Sequence, residues 1–234
     1  MKNLIFVCLI LTGFSLFAQE KRLNWDYPVK PGDKQWVEFK TSKQMLDAVQ
    51  IPQNILEQLS TVELAELCLN YPLFFEYTAV NDGRLAISFM IINFNGLNEL
   101  SKRKDGAKEL MNLYEKFPMF KENTSEEYKK YSFKLPYLEL LLSNDRFLTM
   151  LDEQDIAKLK KLVVKKYGEK LESIDIYGLY HIRKSFLLGA AVLNYHKDLK
   201  LNTRQMDTVK SYLLNYRSTD RDLLTQISKI ISEL

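Results

Sequence analysis

The stretch from Ile51 to Tyr77, IPQNILEQLSTVELAELCLNYPLFFEY, restricts this chain more than any other. Pro52 suits a first helical turn, because its missing N–H would be unpaired there and its φ is already helical. Ile55, Leu56 and Leu59 then share one face. Ser60 with Glu63 forms a capping box: the hydroxyl accepts from the third amide while the carboxylate reaches back to the cap N–H. Leu64, Leu67 and Cys68 make the stripe of the next helix, widened by Val62, Ala65 and Leu69. Asn70-Tyr71-Pro72 ends it, since a residue before proline is driven out of the α region. Pro72 then opens a third helix through Leu73, Phe74, Phe75 and Tyr77. Helices this short are not stable alone, so each must bury its stripe against a neighbour. The fold class that follows is all-α.

The rest of the chain uses the same grammar. Thr41 with Gln44 is another capping box. Leu85–Phe94 is continuously apolar and is expected as a buried helix, since a lone strand there has no partner. Asn95-Gly96 and Asp105-Gly106 are corners, and Leu110, Leu113, Tyr114 and Phe117 stripe the helix between the second corner and Pro118. Residues 118–131 are polar and unstriped, a linker or long loop. A strongly apolar helix follows Pro136 through Tyr137, Leu138, Leu140, Leu141 and Leu142. Asp152 caps a helix whose buried row is Ile156, Leu159, Val163 and Tyr167; Lys158, Lys161, Lys165 and Lys166 lie off that row, and Gly168 suits its stop. Leu179, Ile182, Phe186 and Leu193 define one side of a helix over Tyr177–Tyr195, whose Gly189-Ala190-Ala191 patch admits a close neighbour. Thr203 opens another helix, and Thr219 with Asp222 opens the last. The expected architecture is an irregular array or bundle of about nine to eleven short helices, behind an extended leader over 19–40 carrying Trp25, Tyr27, Trp36 and Phe39. Its parts are a helical module over 41–117, the linker over 118–131, and a second helical module over 132–234 that either stands apart or joins the first.

Residues 1–18 read as a secretory signal peptide: Lys2, then an apolar run over Leu4–Leu11, then small residues. A cut after Ala18 leaves Gln19 first; a cut after Ser15, with Gly13 at −3, is the alternative. The apolar run is short for a membrane span, so the mature chain is expected without one, exported to the periplasm, cell surface or exterior. Loss of Lys2 takes the formal charge from +3 to +2, a balanced surface with no electrostatic case for nucleic acid. One cysteine, Cys68, remains on an apolar stripe, where a thiol behaves as a small buried hydrophobe.

Catalytic signatures are missing. His181 and His196 stand about four helical turns apart, too far to share a metal ion on one helix; His181 reads as a surface polar group and His196 as a partner for a helix C-terminus. HExxH, paired CxxC, GxSxG and a glycine-rich phosphate loop do not occur. Asp152, Glu153 and Asp155, like Glu126 and Glu127, sit where first-turn electrostatics explains them. The lysine run Lys158–Lys166 is diluted by neighbouring acids and reads as a solvated face. Thirteen tyrosines are many for this length, and Tyr128, Tyr131, Tyr177 and Tyr180 are expected partly exposed, which suits protein or glycan contacts. No residue is assigned a catalytic, cofactor-binding or metal role, and no cofactor is expected.

The order Pro31-Gly32…Trp36, Met45, Ile51-Pro52…Ile55-Leu56…Leu59-Ser60-Thr61…Leu64…Cys68…Tyr71-Pro72, then Phe94-Asn95-Gly96-Leu97…Leu100…Arg103, resembles an uncharacterised family of secreted helical proteins from the Bacteroides group, over about residues 25–117. The resemblance implies export from a Gram-negative cell and a helical fold; it carries no activity, ligand or catalytic residue. The expected function is a non-enzymatic interaction module for a protein or peptide, with glycan as a further partner class. A hydrolase of peptide or glycan using a carboxylate pair around Asp152 or Asp155, and a carrier of a small apolar ligand, are the alternatives.

Overall fold

A computed structural model describes residues 22–80, 82–196 and 201–234. The signal peptide expected over 1–18 lies outside them. All regular structure in the described residues is helical, as expected. The first group is α1 (Lys34–Glu38), α2 (Ser42–Ala48), α3 (Gln53–Leu56), α4 (Thr61–Leu69) and α5 (Glu76–Ala79). The second is α6 (Gly83–Asn93), α7 (Asn95–Leu100), α8 (Gly106–Lys116), α9 (Glu126–Tyr131) and α10 (Lys134–Leu142). The third is α11 (Asp145–Leu148), α12 (Glu153–Glu172), α13 (Ile174–Tyr195), α14 (Thr203–Leu214) and α15 (Arg221–Ser232). Six of these, α1, α3, α5, α7, α9 and α11, are single turns of four to six residues.

Caps form where the sequence places them. Thr41–Gln44 and Ser60–Glu63 make complete capping boxes. Asp152 accepts from the Asp155 amide at the start of α12. Each such cap is worth about 1 kcal/mol. Thr219 is not the last cap: Asp220 accepts from the amides of Asp222 and Leu223, taking the role one residue later.

The corner after α6 is braced by side chains. Asn95 receives the Ile51 amide at 3.0 Å and returns a bond to the Ile51 carbonyl at 2.7 Å. Arg103 closes the α3 end, donating to the carbonyls of Leu59 at 2.6 Å and Leu56 at 3.0 Å. The leader over 19–40 is not wholly extended, since α1 lies within it. Tyr27 anchors it, buried against the core with its hydroxyl on the Leu67 carbonyl at 2.9 Å. Trp25 and Trp36 pack on the same core as partly buried anchors.

One buried cluster runs from Tyr27 through α4, α6, α8, α10, α12 and α13 to Ile231. The segment over 118–131 contains α9 and is tied down: the Phe120 amide donates to the Tyr177 hydroxyl at 2.5 Å, and Tyr128 donates to the Ile176 carbonyl at 3.0 Å. α10 is buried on every side and touches α4, α6, α8 and α13. α12 lies along α13, and α13 carries α14 and α15 on its far part. A Cβ on Gly189 would fall 2.3 Å from Ile231 Cδ1, so the small patch does let α15 come close. Among the described residues, no helix is long and apolar enough to cross a membrane.

Two glycines behave differently from each other. Gly106 opens α8 with its Cα against the preceding turn, where a Cβ would meet the Leu100 carbonyl oxygen at 2.2 Å. Gly168 does not stop α12, which continues to Glu172 because Tyr167 and Lys170 still have core to bury against; a Cβ there meets nothing within 4 Å. Gly106→Ala is therefore expected to destabilise by about 1–3 kcal/mol, the usual cost of overpacking. Gly168→Ala should stabilise by roughly 0.5–1 kcal/mol, the helix penalty of glycine. Urea midpoints of the two variants check both signs.

Candidate functional site

The polar residues at the centre of the molecule follow from the helices that carry them. In α10, Leu135, Tyr137, Leu138, Leu140, Leu141 and Leu142 cover the whole circumference, so Glu139 has no face turned to water. In α12 the buried row Ile156, Leu159, Val163 continues at the same spacing to Lys166 and Lys170. Both Glu139 and Lys170 have 0% exposure. Lys170 Nζ lies 2.7 Å from each carboxylate oxygen of Glu139. The ammonium also donates to Ser185 Oγ at 2.9 Å and to the His181 carbonyl at 3.3 Å. Ser185 in turn donates to Glu139 Oε1 at 2.8 Å, and Tyr114 donates to the same oxygen at 3.0 Å. Four helices, α8, α10, α12 and α13, thus meet on one carboxylate and one ammonium.

Burial pushes the Lys170 pKa down, and the Glu139 carboxylate opposes that. The Tyr114 phenol is pushed well up, by burial first and then by the same carboxylate. Lys166, also off the exposed face expected for it, sits over the Tyr114 ring at 5.3 Å and donates to the Phe117 carbonyl at 2.9 Å. Both carboxylate oxygens of Glu139 and the Lys170 ammonium have protein partners, and neither side chain is exposed to water. The arrangement is suited to holding helices, not to reaching a substrate.

His181 is buried, not a surface group. Its ring stands edge-on to Tyr177 at 5.4 Å and Tyr180 at 5.6 Å, and Nδ1 is buried without a hydrogen-bond partner. The pKa is lowered to about 3, by desolvation first and then by Lys170 and Lys184. Tyr177 is likewise buried, while Tyr180 is exposed and Tyr128 and Tyr131 are half-buried. His196 caps the end of α13, far along the helix from His181. Cys68 is fully buried, and desolvation drives its thiol pKa up; such a thiol is inert.

The acidic clusters serve helix ends. Asp152 caps α12, and Asp155 in the same first turn pairs with Lys108 at 3.2 Å. Glu126 and Glu127 stand exposed in the first turn of α9, Glu126 paired with Lys129 at 2.6 Å. Among the described residues no group of three His, Cys, Asp or Glu is placed to hold a metal ion. Lys158 of the lysine run pairs with Glu115 at 2.7 Å.

α6 is helical as expected, but its burial is one-sided. Ala86, Ile87, Met90 and Ile91 face the core, whereas Leu85, Phe89 and Ile92 are 49%, 53% and 59% exposed. Those three lie at i, i+4 and i+7, one stripe on the outer face. Beside the stripe runs a groove of about 420 Å³ whose apolar walls are Leu46, Leu73, Val80, Phe89 and Met90. This face and groove are the candidate site. Nothing in the apolar run announced the exposure, because an unbroken apolar helix gives the same pattern whether it faces core or partner. No protein-family model, curated protein or solved structure matches the chain.

The buried histidine makes a pH prediction. Its folded pKa, about 3, lies below the ordinary 6.5. Above pH 6.5 both states leave it neutral; as pH falls from 6.5 toward 3 the unfolded chain takes up a proton that the folded chain refuses. Folding stability should therefore decline over that window by about 1.4 kcal/mol per pH unit from this residue. In His181→Phe, which keeps the ring contacts, the slope between pH 6 and pH 4 should fall by that amount; an unchanged slope in denaturation curves would contradict the burial.

Proposed function

We propose that this chain is an exported, non-enzymatic helical module that binds an apolar helical segment of another protein on the outer face of α6. The observation that carries this reading is the stripe Leu85, Phe89 and Ile92, half-exposed beside an apolar groove. With Val80, 41% exposed at the groove edge, these side chains leave roughly 400 Å² of apolar surface in water, the size of a patch that is often functional. A stable two-fold dimer would need about 800 Å² from each copy, so a short partner segment fits the area better than a second copy. The two-turn spacing of the stripe suits a helix laid along it, with one large side chain entering the groove.

Export rests on the leader sequence, Lys2 followed by Leu4–Leu11, and on the resemblance over residues 25–117. A lone, buried Cys68 is compatible with an oxidising compartment, because it has no second mature thiol with which to form an intramolecular disulfide. The non-enzymatic part rests on where the ionisable groups go: the central pair is sealed, and Asp152 and Asp155 are engaged at a helix end.

A photocrosslinking residue at position 89 in the full chain, in its native envelope, tests the reading. The expected result is a discrete protein adduct that falls at least tenfold with Leu85→Glu and Ile92→Glu, while helical circular dichroism is unchanged. Adducts only with lipid or small molecules would favour a carrier, and chain-to-chain adducts a homodimer; either contradicts the proposal.

A further inference from the structure

The groove beside α6 holds two polar groups among its apolar walls. Tyr71, just past the end of α4, lines the groove although only 2% of the residue is exposed. Its ring is fixed by stacking on Phe94, with centroids 4.0 Å apart and planes 15° apart. The nearby phenols of Tyr27 and Tyr137 donate to the carbonyls of Leu67 and Cys68. The Tyr71 hydroxyl makes no hydrogen bond among the described residues. Nor is its oxygen sealed off: the fully buried, unpartnered side-chain atoms among the described residues belong to Arg84, His181 and Arg183. The small surface that Tyr71 keeps therefore includes its hydroxyl, and the groove is the cavity it lines.

Glu76, in the first turn of α5, is exposed and lines the same groove. Its carboxylate makes no ion pair and no hydrogen bond among the described residues; Lys43, which also lines the groove, is paired with Asp47 at 2.7 Å. Tyr71 and Glu76 sense each other: burial first, and then the Glu76 carboxylate, push the Tyr71 phenol pKa up. In the open groove both groups are within reach of solvent. A side chain that fills the groove displaces that solvent, and a purely apolar one leaves a donor and an anion without partners. A phenol meets both needs. Its O–H donates to the carboxylate, its oxygen accepts from the Tyr71 hydroxyl, and its ring rests on Leu46, Leu73, Phe89 and Met90.

We propose that the groove beside α6 is a tyrosine pocket: the helical segment bound there inserts a tyrosine whose ring fills the groove and whose hydroxyl bridges Glu76 and Tyr71. The proposal rests on the α6 face being a partner-binding surface, and it adds the identity of the anchor. The volume of about 420 Å³ lies within the ~300–1,000 Å³ of small-ligand sites and has room for one ring. Tyr71 and Glu76 are then the residues that set specificity. A site built to pair a hydroxyl rejects the analogue that lacks it, whereas apolar walls alone barely separate tyrosine from phenylalanine.

The test is titration of the chain at pH 7 with p-cresol in one arm and toluene in the other, the side-chain analogues of tyrosine and phenylalanine, followed by amide NMR shifts of α5 and α6. The expected result is saturable binding with p-cresol at least fivefold tighter than toluene. Tyr71→Phe, which keeps the stacked ring, and Glu76→Ala, at an exposed position, should each cut that preference at least threefold while toluene binding stays within about twofold. Unchanged helical circular dichroism checks that both variants fold. Equal binding of the two probes, a preference that survives both variants, or no saturable binding of either overturns the tyrosine anchor, even with the position-89 protein adduct intact. Loss of that adduct in the unsubstituted chain instead contradicts the α6 reading itself, and the anchor with it.

Discussion

The fold depends on one ion pair that has no access to water. Glu139 and Lys170 together would cost several kcal/mol to bury as bare charges. They are tolerated because Tyr114, Ser185 and the His181 carbonyl complete their hydrogen bonds. The consequence is geometric: α8, α10, α12 and α13 must arrive at one point with their polar atoms within about 3 Å of each other. Many apolar packings of these leucine-rich helices would bury similar area; few would also satisfy this pair. The pair therefore selects one arrangement more than it adds net stability.

Around that point the molecule treats charge in two ways. Lys170 and Lys166 have oxygen partners on the inner side of the bundle. Lys184, further along α13, sits over the Tyr180 and Tyr216 rings. The positive charges of Lys170 and Lys184 raise the cost of protonating His181, which lies between them in the chain. The N-terminal part ties side chains to backbone groups instead. Asn95 and Arg103 clamp the backbone at Ile51, Leu56 and Leu59, and Glu63 both closes its capping box and receives the Leu23 amide of the leader.

Local signals were legible because they are local. Capping boxes at Thr41 and Ser60, the stops before Pro72 and Pro118, and the row Ile156, Leu159, Val163 and Tyr167 need only a few neighbouring residues to be decided. Glu139 lies among the leucines that make the visible stripe of α10, and a helix apolar on all sides dictates that any acid within it is buried. Lys166, expected off the buried row, and Lys170 both fall on the continuation of the Ile156 row, where position in the helix overrides the usual preference of lysine for water. The exposure of Leu85, Phe89 and Ile92, and the meeting of Lys184 with Tyr216, depend on which helix covers which. That is fixed by contacts between residues far apart in the chain, and periodicity within one segment carries none of it.

The most direct test is a double-mutant cycle on Glu139→Leu and Lys170→Met, read by urea unfolding at pH 7. If the pair fixes the four helices, each single variant should lose about 3–5 kcal/mol by stranding a buried charge, and the double variant should recover most of that loss, giving a coupling of at least about 3 kcal/mol. Single losses under about 1 kcal/mol that simply add in the double variant would mean that the two charges reach water in solution, and would contradict the account.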